Sequence, residues 1–542
     1  MKIIGNIVDI IKKEIIYGEI SFSVNGIKEI VRLGDERKRE HYILPGLVNA
    51  HMHVESTMLS PAEYARAAVK FGSVASLCDP HEIANVLGVY GIDYMIENGK
   101  SVPFKFYFGA PSCVPATKFE TSGFVLNAEV IKSLLKSEDI FFLAEMMNYP
   151  AVIDDDKESL EKVLAGKHFE KPVDGHAPGL RGEELKKYIS AGISTDHECV
   201  SMEEAIEKIE AGMIIQIREG SAAKNFRALY KLIDLFPEKV MLCTDDSHPD
   251  DLEKGHMDAI VRMSIEAGLD FFNIMDAVVK NPAKHYGLDV GMLQIDDPAD
   301  FIVIDHPESF RVHQTWINGQ QVYDGIKVNL PESKMLIINN FARRQLQAED
   351  IRIDKKYTNM PVIGVIDGEL VTERLNIKIA EKDGYLISNT QNDILKMVVA
   401  CRYDNSPPAV CFVKNTGLKN GALASSIAHD SHNLIAVGVE DQQLLKAMNR
   451  LIEMQGGIVA CDENESVELK LEIAGLMTND KLENVARGYQ RVEQKAKQMG
   501  SVLHAPFMTL SFLSLLVIPE IKLSDKGLFD VSGFRFFDIN KP

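Results

Sequence analysis

Two histidines one residue apart, His51 and His53, follow the short run Leu44-Pro45-Gly46-Leu47-Val48-Asn49-Ala50. Side chains alternate along a strand, so this spacing turns both imidazoles to one face. Two neutral imidazoles converging from one strand end can grip a divalent metal, as metal-assisted hydrolysis requires. An isolated His-x-His serves equally well as an ordinary polar strand end. Here further His, Asp and Glu residues recur after later apolar runs: Asp79-Pro80-His81-Glu82, Glu145, His176, Asp196-His197-Glu198 and Asp245-Asp246. With 15 histidines in the chain, four or five at such positions exceed what scatter supplies. Imidazole and carboxylate donors suit Zn, Mn or Fe. A carboxylate on a middle strand can bridge two metals roughly 3.5–4 Å apart, the spacing of two-metal hydrolases.

These residues need a scaffold that brings distant segments to one place. From Leu44 to about Asp245 short apolar runs alternate with amphipathic stretches. The strand candidates are Ile43–Ala50, Ser73–Cys78, Phe104–Phe108, Ile140–Ala144, Pro172–Asp174, Gly192–Thr195, Met213–Ile217 and Val240–Cys243. Helical stretches fall between them, among them Pro61–Lys70, Ile83–Asn98, Arg181–Ser190 and Ser201–Ala211. Pro61 follows Ser60 as an N1 proline follows an N-cap, and Glu63 falls in the first turn. Eight such repeats predict an α/β fold, a (β/α)8 TIM-like barrel whose active site lies at the C-terminal strand ends. Every chemically suggestive residue above sits at such an end.

The flanks read differently. Residues 1–43 and 286–335 carry alternating strand patterns with turns at Asn25-Gly26, Asn318-Gly319 and Asp324-Gly325. The expected organisation is a small β-domain built from 1–43 and 286–335 around a 44–285 barrel, followed by a C-terminal α/β domain of the α+β kind over 336–542. That last part includes a helix over Asp441–Met454.

The net charge of −20 argues against nucleic acid or an anionic membrane as partner. The N-terminal residues lack the apolar core of a signal peptide. The apolar segment Met508–Ile518 is too short to span a bilayer and reads as a buried element. Seven scattered cysteines with no Cys-x-x-Cys pair suggest reduced thiols in a cytoplasmic protein, and they exclude the Pro-Cys-x-x-Cys zinc site of cytidine-type deaminases.

The pattern of His-x-His on strand 1, a carboxylate on strand 4, His on strands 5 and 6 and Asp on strand 8 resembles the amidohydrolase superfamily. Longer stretches resemble the bacterial and archaeal adenine deaminases within it: 51–59 (His51-Met52-His53-Val54-Glu55-Ser56-Thr57-Met58-Leu59), 79–88, 144–150, 174–179, 195–198, 281–287 and 428–433. They span all the proposed domains. One departure is Asn49-Ala50, where such proteins commonly carry Asp-Gly.

The resemblance implies hydrolysis of adenine to hypoxanthine and ammonia at a pair of divalent metals, Mn or Fe with Zn as an alternative, in a homo-oligomeric enzyme of purine salvage. It places His51, His53 and Asp245 on one metal and His176 and His197 on the other, with Glu145 bridging. The metals would supply hydroxide to attack the amino-bearing ring carbon, with Asp245 moving its proton to the leaving ammonia. Glu55 or Glu82 would assist at a ring nitrogen. Glu55, His81, Asp430 and His432 are the candidate substrate-binding residues. Glu55 lies two residues beyond His53, so continued strand alternation would turn it to the metal face. Enzymes acting on carboxylated cyclic amides tend to carry Arg there; a carboxylate would instead welcome the N–H donors of a purine.

Simpler roles remain for several residues. Asp79, His81 and Glu82 serve equally well as caps of the helix near Ile83. Asp196 and Glu198 fit the task of orienting His197. His285 fits a structural role, Asp246 and His248 fit a loop, and Gly417–Gly421 fits a turn rather than a phosphate loop. The competing functions are another amidohydrolase acting on a cyclic amide and a non-catalytic nucleobase-binding barrel.

Overall fold

The computed structural model describes residues 1–221, 223–333, 335–357 and 360–538. The chain divides into two compact units. Met1–Pro80, Asp93–Ser112 and Leu126–Met335 make the first; His81–Ile92, Cys113–Val125 and Leu336–Pro542 make the second.

The strands of the first unit are, in chain order, β1 (Lys2–Asp9), β2 (Glu14–Ser23), β3 (Gly26–Asp35), β4 (Tyr42–Pro45), β5 (Leu47–Met52), β6 (Ser73–Cys78), β7 (Lys105–Ala110), β8 (Ile140–Met146), β9 (Val173–Gly175), β10 (Thr195–Asp196), β11 (Ile214–Arg218), β12 (Val240–Cys243), β13 (Phe301–Ile304), β14 (Val312–Ile317) and β15 (Gln320–Tyr323). β5 to β12 are parallel neighbours in sequence order. Ser194 joins β10 to β9 by donating its N–H to Val173 O at 2.9 Å. A parallel bridge between Met52 and Asp245 joins β12 to β5 and closes the barrel. Its strands are buried along nearly their whole length, as parallel strands covered on both faces must be.

The first strand is shorter than the expected Ile43–Ala50 and begins later. Residues 42–45 belong to another sheet, where β4 runs parallel to β1 and antiparallel to β13. Pro45 has no N–H to extend a ladder. At Gly46 the chain passes so close to β6 that a Cβ would meet Val74 Cγ1 at 2.2 Å, which only glycine tolerates. The apolar run therefore serves two sheets.

That other sheet has the order β15-β14-β13-β4-β1-β2-β3, so segments before and after the barrel interleave in one small β-domain. Phe22, Phe301 and Trp316 pack as an aromatic cluster with ring centroids 5.0–5.5 Å apart. The β14–β15 hairpin turns on Asn318 and Gly319, both with positive φ as such a turn demands.

Ser60 is the N-cap of helix Pro61–Ala68, Pro61 opens it and Glu63 lies in its first turn, as expected, while the next helix needs correction. The Ser60 side chain makes no cap bond; Asn98 Oδ1 accepts the Ala62 N–H instead, at 2.8 Å. The stretch Ile83–Asn98 is two helices, His81–Leu87 and Val89–Lys100, interrupted at Gly88 with φ 60°.

The second unit is built on a mixed sheet of eight strands. Its order is Thr372–Leu375, Val362–Val365, Ala409–Lys414, Ile394–Ala400, Leu434–Gly438, Ala422–Ser425, Gly457–Cys461 and Ser466–Lys470. Helix Asp441–Met454 lays Leu444, Met448 and Leu451 on this sheet against Ala424, Leu434 and Val459. The segment from Met508 is a buried turn of helix, Pro506–Ser511, continuing into a 3₁₀ turn. No helix of the described residues is long and apolar enough to cross a membrane. None of the seven cysteines is in a disulfide, and all are buried.

Candidate metal centre

The C-terminal ends of five barrel strands deliver His51, Glu145, His176, His197 and Asp245 to one place in the first unit, and His53 follows directly after β5. Asp245 has φ 54°, a left-handed conformation that a residue with a side chain adopts only when its surroundings impose it. Its N–H is held by His51 O at 3.0 Å, next to the bridge that closes the barrel.

The donor atoms fall into two sets joined by Glu145. In the first, Asp245 Oδ1 lies 3.4 Å from His51 Nε2 and 3.1 Å from His53 Nε2. In the second, Glu145 Oε2 lies 2.8 Å from His176 Nδ1 and 3.2 Å from His197 Nε2. Glu145 Oε1 reaches back to His53 Nε2 at 3.4 Å. The His51 and His197 rings stack at 4.2 Å. Burial alone would lift the carboxyls of Glu145 and Asp245, but the histidines around the one and Arg218 beside the other hold both well below the usual carboxylate range. Burial and neighbouring His197 push His51 down, toward the neutral form that ligates metal.

This donor set fits divalent metal ions. Its atoms are imidazole nitrogens and carboxylate oxygens, with no thiolate among them. His51 Nε2 is buried without a hydrogen bond, its nearest carboxylate oxygen 3.4 Å away. His53 Nδ1 is 3.1 Å from Asp79 O; donation to that carbonyl selects the tautomer that leaves Nε2 free to ligate. Behind the second set, Asp196 accepts the Ala177 N–H at 2.8 Å and pairs with buried Lys208 at 3.0 Å, steadying the loops of His176 and His197.

Two further residues stand at the site: Glu198, expected beside His197, and Arg218, which the sequence reading passed over. Glu198 lies 3.4 Å from His176 Nδ1 and 3.3 Å from His197 Nε2. Arg218 ends β11 and holds Glu198 at 2.6 and 2.9 Å while also donating to Asp245 Oδ2. A buried strand ending in a cation is the signal that marks Arg218.

Glu55 does not extend the strand. The backbone turns after His53 into a 3₁₀ turn, Val54–Thr57, so alternation no longer dictates where Glu55 points, although it is buried at 3 % exposure. Asp246 accepts a hydrogen bond from Ser56 at 2.5 Å. His285 lies 3.2 Å from Ser194 Oγ, its pKa lowered to about 4 by burial.

His81, Glu82, Asp430 and His432 belong to the second unit. The helix starts at His81, two residues before Ile83, and Glu82 in its first turn meets loop 428–433. His429 Nδ1 is 2.8 Å from Glu82 Oε1, His432 Nε2 contacts Oε2, and His81 Nε2 is 3.5 Å away. Burial would raise the Glu82 carboxyl, yet these histidines hold it well below its ordinary value. His432 Nδ1 accepts the Ala428 N–H at 3.3 Å, which puts the ring proton on Nε2 and makes His432 a donor to Glu82. That tautomer disfavours a metal between them. Asp430 lies beside Glu120, whose pKa burial and Asp430 together raise to about 8. The Gly417–Gly421 loop closes on Asp393, which accepts the Gly417 N–H at 3.0 Å, as a turn does.

Two family models match the chain: the amidohydrolase family over residues 42–322 and the adenine deaminase C-terminal domain over residues 369–535. The chain is 49% identical to an adenine deaminase of Methanosarcina mazei, with 99% of each chain aligned. It is 49% identical to one of Salinibacter ruber over 92% of each, and 44% identical to one of Borreliella burgdorferi over 99% of each. Among solved structures, a dihydropyrimidinase of Brevibacillus agri aligns with TM-score 0.46 at 12% identity, covering 61% of this chain and 96% of that one. A β-aspartyl dipeptidase of Fervidobacterium islandicum aligns with TM-score 0.45 at 14% identity, covering 61% and 100%. By its full-length relatives and by both family models, the chain belongs to the adenine deaminase family of amidohydrolases.

Proposed function

We propose that this protein is the enzyme that hydrolyses adenine to hypoxanthine and ammonia, with a pair of divalent metals held by His51, His53, Glu145, His176, His197 and Asp245. The observation that carries the reading is Glu145, whose two oxygens face two separate histidine sets. Mn or Fe suits the all-imidazole and carboxylate donors. When bound, the metals lower the pKa of a water and stabilise the charge that develops on attack.

The remaining steps fall to side chains. The Asp245 carboxylate, beside His51 and His53, accepts the proton of the attacking water and delivers it to the departing amine. Attack at the amino-bearing carbon breaks ring aromaticity, so an acid must serve a ring nitrogen. Glu55, buried two residues after His53, is the group for this task. The acidic net charge fits a small neutral substrate better than nucleic acid, and seven free thiols fit the cytoplasm.

Ultraviolet absorbance tests the reading directly, because adenine and hypoxanthine absorb differently. Metal-loaded protein is expected to convert one spectrum to the other with release of one ammonia per adenine. Metal-loaded, folded protein that leaves adenine unchanged contradicts it.

A further inference from the structure

Arg218 is 5 % exposed and carries a charge that no metal or leaving group requires. Its guanidinium donates to both Glu198 oxygens, at 2.6 and 2.9 Å, and to Asp245 Oδ2, while Nε donates to Ala223 O at 2.7 Å. Its own backbone is pinned as well. Asn225 Oδ1 accepts the Arg218 N–H at 2.8 Å, and Asn225 Nδ2 donates to His197 O and Cys199 O at 3.0 Å each. The end of β11 is thus tied to the loop that carries His197 and Glu198.

The consequence lies in a competition. Glu145 Oε2 and Glu198 Oε1 both face His176 Nδ1 and His197 Nε2, at 2.8 and 3.2 Å for the first and 3.4 and 3.3 Å for the second. A cation at those nitrogens could take either carboxylate. A bidentate guanidinium pair is among the strongest hydrogen-bonded contacts a carboxylate makes, and it draws electron density from the oxygens it occupies. Glu198 is bound in this way and Glu145 is not. Asp245 is engaged at Oδ2, so Oδ1 is the oxygen left facing His51 and His53.

We propose that Arg218 is a positioning residue that assigns the ligands of this centre, keeping Glu198 out of the His176–His197 set and presenting Asp245 through Oδ1. The inference rests on the adenine-hydrolysing reading of the same site, but it concerns which oxygens ligate and not which substrate reacts. Without Arg218, the buried carboxylates of Glu145 and Asp245 and the partly exposed Glu198 share the site with no fixed cation, and Glu198 turns toward the metal as an added ligand.

Cobalt(II) loaded into metal-stripped protein reads this out, since its visible absorption weakens as ligands are added. In Arg218→Gln two cobalt ions per chain are expected with weakened absorption, and adenine turnover falls roughly 10–100-fold, the range for outer-shell changes. In Arg218→Gln combined with Glu198→Gln the parental spectrum returns. Glu198→Gln alone keeps two cobalt ions and the parental spectrum, because Glu198 is not a ligand. Loss of one cobalt in Glu198→Gln, or an unchanged spectrum in folded Arg218→Gln, overturns the proposal. Should Arg218→Gln not fold, Arg218→Lys keeps the charge without the fork, and Glu198→Gln still decides. A parent protein that binds two cobalt ions yet leaves adenine intact contradicts the substrate reading alone and leaves the ligand assignment standing.

Discussion

Asn49 and Thr244 exchange two hydrogen bonds across the seam of the barrel: Asn49 Nδ2 donates to Thr244 Oγ1 at 2.7 Å, and the Thr244 N–H donates to Asn49 Oδ1 at 3.0 Å. Both are buried. Asn49 stands two residues before His51, and Thr244 immediately before Asp245, so this clamp sets the separation of the two strands that build the first ligand set. Asn49 Nδ2 also lies 3.3 Å from His256 Nε2, a histidine kept neutral by burial, its pKa lowered to about 3. A neutral amide suits that neighbour, which gives Asn49 a physical role at this seam.

Asn49→Ala is expected to destabilise the fold by about 1–3 kcal/mol, the cost of leaving buried polar partners unmatched. Denaturant unfolding measures the loss, and metal analysis is expected to show weaker retention at the His51–His53–Asp245 set. Stability and metal content equal to the parent would remove the clamp from the account.

Asp245→Asn keeps an oxygen donor and the side-chain shape but removes the proton acceptor. Turnover is expected to fall by roughly two to four orders of magnitude, the scale of general acid–base catalysis. Steady-state rates on samples of matched metal content decide the point; near-parental turnover would exclude Asp245 from proton transfer.

Glu55→Gln separates a ring-nitrogen partner from a structural acid. A partner loses about 10²-fold in turnover with both metals retained, because Gln cannot carry the proton. If instead only the melting temperature drops and turnover per folded, metal-loaded site is unchanged, Glu55 does not serve the ring nitrogen.

Lys522 supplies a pH test in the second unit. Buried, and with only the carbonyls of Leu370 and Phe512 as acceptors among the described residues, at 2.7 and 3.1 Å, it has its pKa lowered by burial to about 7. The unfolded chain binds this proton up to the ordinary lysine pKa, so between about pH 7 and 10 the unfolded state holds more protons and stability rises with pH, by at most about 1.4 kcal/mol per unit from this group. Lys522→Met is expected to flatten that rise. An identical pH dependence in parent and variant would show that Lys522 is charged throughout.

Much of the first unit was legible because its signals are local. Parallel barrel strands are buried on both faces and read as continuous apolar runs, and metal ligands must stand at their C-terminal ends. The boundary at Gly46 was hidden because one apolar run feeds two sheets. Glu55 was misplaced as a strand residue because period-two alternation holds only while the strand lasts, and nothing local announces that β5 stops at Met52. Glu198 was placed beside His197, but Arg218 escaped, since its importance lies in a pairing with Glu198 across 20 residues that composition does not reveal. The meeting of Glu82 with His429 and His432, nearly 350 residues apart, is a tertiary event of the same kind.

The central claim is a two-metal centre for adenine hydrolysis built on one bridging carboxylate. Titrating metal-stripped protein with Mn(II) while following adenine by ultraviolet absorbance tests it most directly. No turnover is expected without metal, with a rise that levels off at two equivalents per chain. Full turnover in stripped protein, or saturation at one equivalent, would contradict it.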